Sequence, residues 1–196
     1  MVELYIAKKM VLKAVELIKA WVGTGIHFGQ DDVYNLYLDL NTKAGLDISE
    51  AATKAITNCP NSSMLEKIAS MVSENLKDYE AILEQQLPDQ YLNYLENADR
   101  LQEAMELIKR SNRIGDSRIF DFYKKQKKIF PSEAKDYFIS GINKNLKFTG
   151  DSYYHNIADH IKQLKQINSS LARQMLEDIR LNYKRRRNLI NILSDL

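Results

Sequence analysis

The stretch KAVELIKA, residues 13–20, returns as EAMELIKR at residues 103–110. Ala14, Glu16, Leu17, Ile18 and Lys19 recur as Ala104, Glu106, Leu107, Ile108 and Lys109. Val11, Ala14, Val15, Ile18 and Val22 are spaced along one face of a helix, and Leu101, Ala104, Met105 and Ile108 repeat the rhythm. Two amphipathic helices obeying one rule would suffice to explain this echo. Other pieces nevertheless match in the same order: DVYNLY (32–37) with RIFDFY (118–123), SEA (49–51) with 132–134, and KIAS (67–70) with NIAD (156–159). The expectation is a single all-α domain over 1–196, built from two duplicated halves, 4–90 and 94–180, and a closing C-terminal helix. A period of about 88 residues with four helices gives hairpins of about 44 residues, the size of unit that stacks because none buries its apolar face alone. A compact helical bundle is the alternative.

The rest of the chain agrees with an all-α reading. No segment sustains period-two alternation, and only 7 Gly and 3 Pro among 196 residues disfavour the many tight turns of a β protein. Breaks are expected at GTGIHFGQDD (23–32), NCPNSS (58–63), Pro88, Gly115, Pro131 and KFTGDS (147–152). Asp31 or Asp32, and Ser49 or Asp47, are the candidate helix caps that follow such breaks. Residues 63–87, 88–112 and 170–196 read as long amphipathic stretches. Apolar runs fall short of the roughly 20 residues of a spanning helix. MVELYIAKKM, with Glu3 where a signal peptide is basic, suggests no leader. One cysteine, Cys59, excludes an internal disulfide and points to a reducing, cytoplasmic setting.

The net charge of +2 conceals a split: residues 1–106 carry 9 Lys+Arg against 17 Asp+Glu, and residues 107–196 carry 19 against 9. In a linear stack that order would become a dipole along the molecule, while a bundle would interleave the charges. The candidate contacts for a partner or a phosphate are Lys124, Lys125, Lys127 and Lys128, with Lys184, Arg185, Arg186 and Arg187 in YKRRRN. The plainer reading of the second run is favourable charge near a helix C-terminus.

YLENADRLQEAMELIKRSN resembles a tetratricopeptide-type hairpin, with Ala98 and Ala104 where two helices would approach, although the strict 34-residue pattern is absent. LEDIRLNYKRRRNLINILSDL is similar to the last helix of the helical region that follows the finger in SWIM-type zinc-finger proteins. That finger needs several cysteines. With Cys59 alone, neither its zinc nor its DNA binding carries over.

No catalytic or cofactor motif emerges. His155 and His160 lie five residues apart, which turns them about 140° away from each other on a helix, so they do not converge on a metal. Cys59 with His27 reads as a bystander thiol, and GTGIHFG lacks the strand and the Lys-Ser/Thr of a phosphate loop. The tyrosines of VYNLYLDL, YLNYL and DSYYH read as packing residues, with groove lining as the alternative. The expected function is therefore a non-enzymatic protein-interaction or scaffolding module without cofactor or membrane span. Its expected partner is an acidic protein or a second copy of the chain. Nucleic-acid binding through the basic half and an enzyme site assembled in a helical groove are the alternatives.

Overall fold

The structure, a computed structural model, describes residues 2, 6, 10–24, 30–72, 74–194 and 196. His27, most of GTGIHFG, Glu3 and Asp195 lie outside the described residues. Among the described residues there are twelve α-helices and no strand, in two compact units, Met1–Gly115 and Asp116–Leu196. The unit boundary preserves the charge split, since residues 1–115 carry 12 Lys+Arg against 17 Asp+Glu and residues 116–196 carry 16 against 9.

Unit 1 holds α1 (Val11–Val22), α2 (Gln30–Lys43), α3 (Ser49–Asn58), α4 (Ser62–Met71), α5 (Leu76–Gln86), α6 (Pro88–Asn97) and α7 (Leu101–Arg110). Its substantial contacts run between helices adjacent or next-but-one in sequence, the adjacency of stacked hairpins. Polar ties follow the same step: Lys19–Glu50 joins α1 to α3, Lys67–Asp39 joins α4 to α2, Asn97–Glu66 joins α6 to α4, and Arg110–Glu84 joins α7 to α5. Most of these groups are exposed, so each tie adds little stability and chiefly favours one register. Three of these ties span 31, 31 and 26 residues, a shorter hairpin step than the 44 expected from the echo.

The shortening has a local cause. The stretch 63–87 is two helices, because Val72 turns extended and Asn75 adopts a left-handed φ of 62° before α5. The stretch 88–112 is likewise broken at Asp99, whose φ is 55°. Asn and Asp tolerate that conformation better than most residues. Each break lets a short apolar face return to the core: Leu65, Ile68, Leu83, Leu92 and Leu107 are fully buried. Ala104 is fully buried in α7, while Ala98 stands exposed in the turn before it. Caps follow the sequence in part. The Asp47 carboxylate accepts from the Ser49 backbone N–H at 2.9 Å, and Asn61 accepts from Met64 at 2.8 Å, whereas Asp31 and Asp32 fall inside the first turn of α2. The echoing segments open and close the unit: α1 rests on α2, and α7 on α6.

Unit 2 holds α8 (Asp116–Gln126), α9 (Pro131–Leu146), α10 (Asp151–Ile167), α11 (Ser169–Asn182) and α12 (Arg187–Ile192). Helix α10 is its axle, touching α9, α11 and α12. Tyr154, Ile157, Ala158, Ile161 and Leu164 are buried along it at helical spacing. Pro131 opens α9 at the position that needs no N–H donor. The expected single C-terminal helix is broken at Tyr183–Arg186. Arg186 turns aside to donate to the carbonyls of Leu146 and Phe148, both at 2.9 Å, which are orphaned acceptors at the end of α9. The chain then reverses enough to bury Leu189 and Leu193 completely.

Candidate functional site

The eight basic residues singled out by sequence separate into two roles. Lys127 turns inward and donates to Oε1 of the buried Gln163 at 2.7 Å; burial, with repulsion from Lys124 and Lys128, lowers its pKa. Arg186 caps α9 and lies over the Tyr183 ring at 4.7 Å. Lys124, Lys125, Lys128, Lys184, Arg185 and Arg187 are exposed. Gln163 anchors the first run near the C-terminal end of α10. The second run meets its N-terminal end, where Asn188 donates to Asp151 at 3.4 Å. Twelve helical residues separate these anchors, or about 18 Å, more than one screening length at physiological salt. The structure does not gather the two runs into one patch.

Between those ends lies a cleft of about 520 Å³, wholly within unit 2. Helix α9 supplies its floor through Tyr137, Gly141 and Asn145, and α10 supplies His160 and Asp159. Asp116, Phe120 and Asp121 of α8 form the facing wall, and Phe148 and Tyr153 stand at the mouth. These last two rings stack at 5.0 Å while remaining 48% and 37% exposed.

Gly141 makes the floor. A Cβ at this position would lie 2.3–2.6 Å from three atoms of the His160 ring, so only glycine lets α9 and α10 approach as they do. Glycine within a helix costs up to about 1 kcal/mol relative to alanine, a cost accepted here for the close approach. His160 is held edge-on or tilted by Phe120, Tyr137 and Phe138, with ring centroids 5.1, 5.6 and 5.8 Å away. It is 8% exposed, and its Nδ1 is buried without a hydrogen-bond partner. Burial drives the imidazole pKa down to about 4, against a smaller upward pull from Asp159 and Asp116. Burial also raises the Tyr137 phenol, whose hydroxyl donates to the Asp116 carbonyl at 3.2 Å. Lys144 and Asp116 pair at 2.7 Å across the rim, and Lys162 pairs with Asp159 at 3.4 Å.

The His160 shift carries a stability consequence. Its folded pKa lies below the unfolded value of 6.5, so the unfolded chain binds the extra proton and gains stability as pH falls between 6.5 and 4. Above pH 6.5 the penalty is absent. By pH 5 it should reach about 2 kcal/mol, read as a lower denaturation midpoint. His160→Phe should flatten that pH dependence; an unchanged slope would contradict the buried neutral imidazole.

Among the described residues, no group of three or more His, Cys, Asp or Glu is placed to hold a metal, and no helix is long and apolar enough to cross a membrane. Cys59 is buried, and its thiol is pushed up to about 12 by burial and by Asp31, which makes it a poor nucleophile. The sequence reading missed the cleft. Its available signal was Gly141 in the interior of a helical pattern, where a glycine asks for a packing reason. His155 and His160 do diverge, with His155 exposed and His160 buried.

No family model, curated protein or solved structure matches the chain. Its function is therefore read from the cleft and the surfaces around it.

Proposed function

We propose that the protein is a non-enzymatic protein-interaction module, a stack of helical hairpins in unit 1 joined to a recognition cleft in unit 2. The observation that carries the reading is the state of His160. A general base acting near neutrality needs a pKa close to the working pH and a third group that orients it. His160 has a pKa near 4 and no hydrogen bond to orient Nδ1. The cleft instead combines a cavity of binding size with exposed rings at its mouth, the composition of a recognition site. The stacked adjacency of unit 1 supports the repeat-like scaffold, and the tetratricopeptide likeness is of that kind. Nucleic acid is less well served, because two of the eight basic side chains are spent on internal carbonyl and amide oxygens and the two runs are separately anchored.

Selection from a random peptide library on the full chain tests this reading, beside titration with generic single- and double-stranded nucleic acid. Peptides are expected to be enriched and to lose affinity with Phe148→Ser. Nucleic acid is expected to bind no tighter than about 10 µM at physiological salt. Micromolar nucleic-acid affinity that falls steeply with salt and disappears on replacing Lys184, Arg185 and Arg187 would overturn it.

A further inference from the structure

We propose that the cleft of unit 2 is a receptor for one basic side chain, the guanidinium or ammonium of an arginine or lysine carried by a partner protein. This rests on the protein-interaction reading above and narrows it to a ligand class. Three independent features converge on a cation.

The first is charge. Asp116, Asp121 and Asp159 line the cleft against a single ammonium, that of Lys144, so a net negative charge remains while His160 is neutral. Lys144 is engaged by Asp116, and Asp159 by Lys162. Asp121 is exposed and lines the cleft wall, where an incoming cation would meet it.

The second is the ring system. Phe120 and Tyr137 lie within the cleft, and the stacked Phe148–Tyr153 pair offers an outer face at the mouth. Aromatic faces attract cations, guanidinium above all, and the attraction grows as water is excluded.

The third is His160. It lines the cleft, is more than nine-tenths buried and carries a nitrogen without a hydrogen-bond partner. Such groups are rare in folded proteins because leaving them unmet is costly. In the tautomer protonated at Nε2, Nδ1 is the acceptor nitrogen, and guanidinium and ammonium are pure donors that would meet it. An anionic or donor-poor ligand would leave that imidazole nitrogen unmet. The cleft's 520 Å³ exceeds the needs of one side chain, which leaves the residues flanking it in contact with the exposed rings.

The test is calorimetric titration of the full chain with acetyl-Ala-Arg-Ala-amide and with the same peptide carrying Lys, norleucine or Glu at its centre. The Arg peptide should bind, and the norleucine and Glu peptides at least about tenfold more weakly. Asp121→Asn, an exposed substitution that leaves the fold intact, should weaken the Arg peptide about threefold to fivefold, and raising salt from about 50 to 500 mM should act in the same direction. The His160 ring-proton resonances should shift with the Arg peptide and stay still with the Glu peptide. No binding of the Arg peptide, equal affinity for norleucine, or indifference to Asp121→Asn would overturn the inference. Methylguanidinium binding as tightly as the peptide would overturn the protein-borne source. Library peptides that occupy the cleft without any basic residue would defeat this inference alone and leave the interaction module standing. A library that yields no cleft-binding peptide would defeat both.

Discussion

Replacing Gly141 by alanine is expected to destabilise unit 2 by about 3 kcal/mol, at the upper end of what overpacking costs. The same change on an open helix face would gain about 0.5–1 kcal/mol from lost backbone freedom in the unfolded chain, so the sign itself is diagnostic. The added methyl would sit 2.3 Å from Cε1 of His160. A free side-chain tip could swing away cheaply. This ring cannot, because Phe120, Tyr137 and Phe138 hem it in. Ser140→Ala, one residue away and exposed, should stay within about 0.5 kcal/mol. The check is chemical denaturation followed through ring-proton signals of unit 2. A double variant with His160→Ala should recover part of the loss, since the colliding ring is gone, whereas simple additivity would contradict the contact.

Glu80→Ala should cost unit 1 about 3–4 kcal/mol. Glu80 is 6% exposed on α5, and it accepts from the Tyr91 hydroxyl at 3.0 Å, from the Tyr94 hydroxyl at 3.4 Å and from the forked Arg100 guanidinium through Nη1 and Nη2. These contacts tie α5 to α6 and to the residue that opens α7. Burial, with the Glu80 charge, raises the Tyr91 and Tyr94 phenols, and Arg100 is held fully charged by Glu103 and Glu80. Truncation would leave two hydroxyls and much of a guanidinium unmet, the costly way to break a buried pair. Arg100 keeps Glu103 at 2.7 Å, which limits the loss to below the top of the range for a broken buried pair. Glu80→Gln should cost roughly half as much, and Glu103→Ala, at an exposed partner, under about 1 kcal/mol. Equal losses for Glu80→Ala and Glu103→Ala in urea unfolding would contradict this ordering.

The all-α class was legible because helical spacing is a property of short windows: Ala14, Val15, Ile18 and Val22 are buried as their periodicity requires. Proline and asparagine breaks were legible for the same reason at Pro88, Asn61 and Pro131. The breaks at Asn75 and Asp99 were not, because Asn and Asp tolerate the left-handed conformation without demanding it, and the break at Arg186 depends on partners remote in sequence. Arg186 interrupts an otherwise helical run to reach carbonyls 38 and 40 residues upstream. The echo of 13–20 in 103–110 showed two amphipathic helices; it could not show that one opens unit 1 and the other closes it. The cleft was the least legible feature. Its carboxylates and rings come from three helices and the turn between α9 and α10, and none of them is unusual within its own segment. The sequence drew the eye to the longest charge run, and long-range partners then assigned Arg186 and Lys127 to internal work.

Chemical-shift mapping on the isotopically labelled full chain, titrated with a library-selected peptide and separately with a generic oligonucleotide, shows which surface of unit 2 binds. The peptide should move the amides of residues 116–121, 137–148 and 153–160, with the His160 ring resonances among the largest shifts, while the oligonucleotide should move little. Shifts centred instead on residues 124–128 and 184–187, larger with the oligonucleotide than with the peptide, would contradict the cleft as the binding surface.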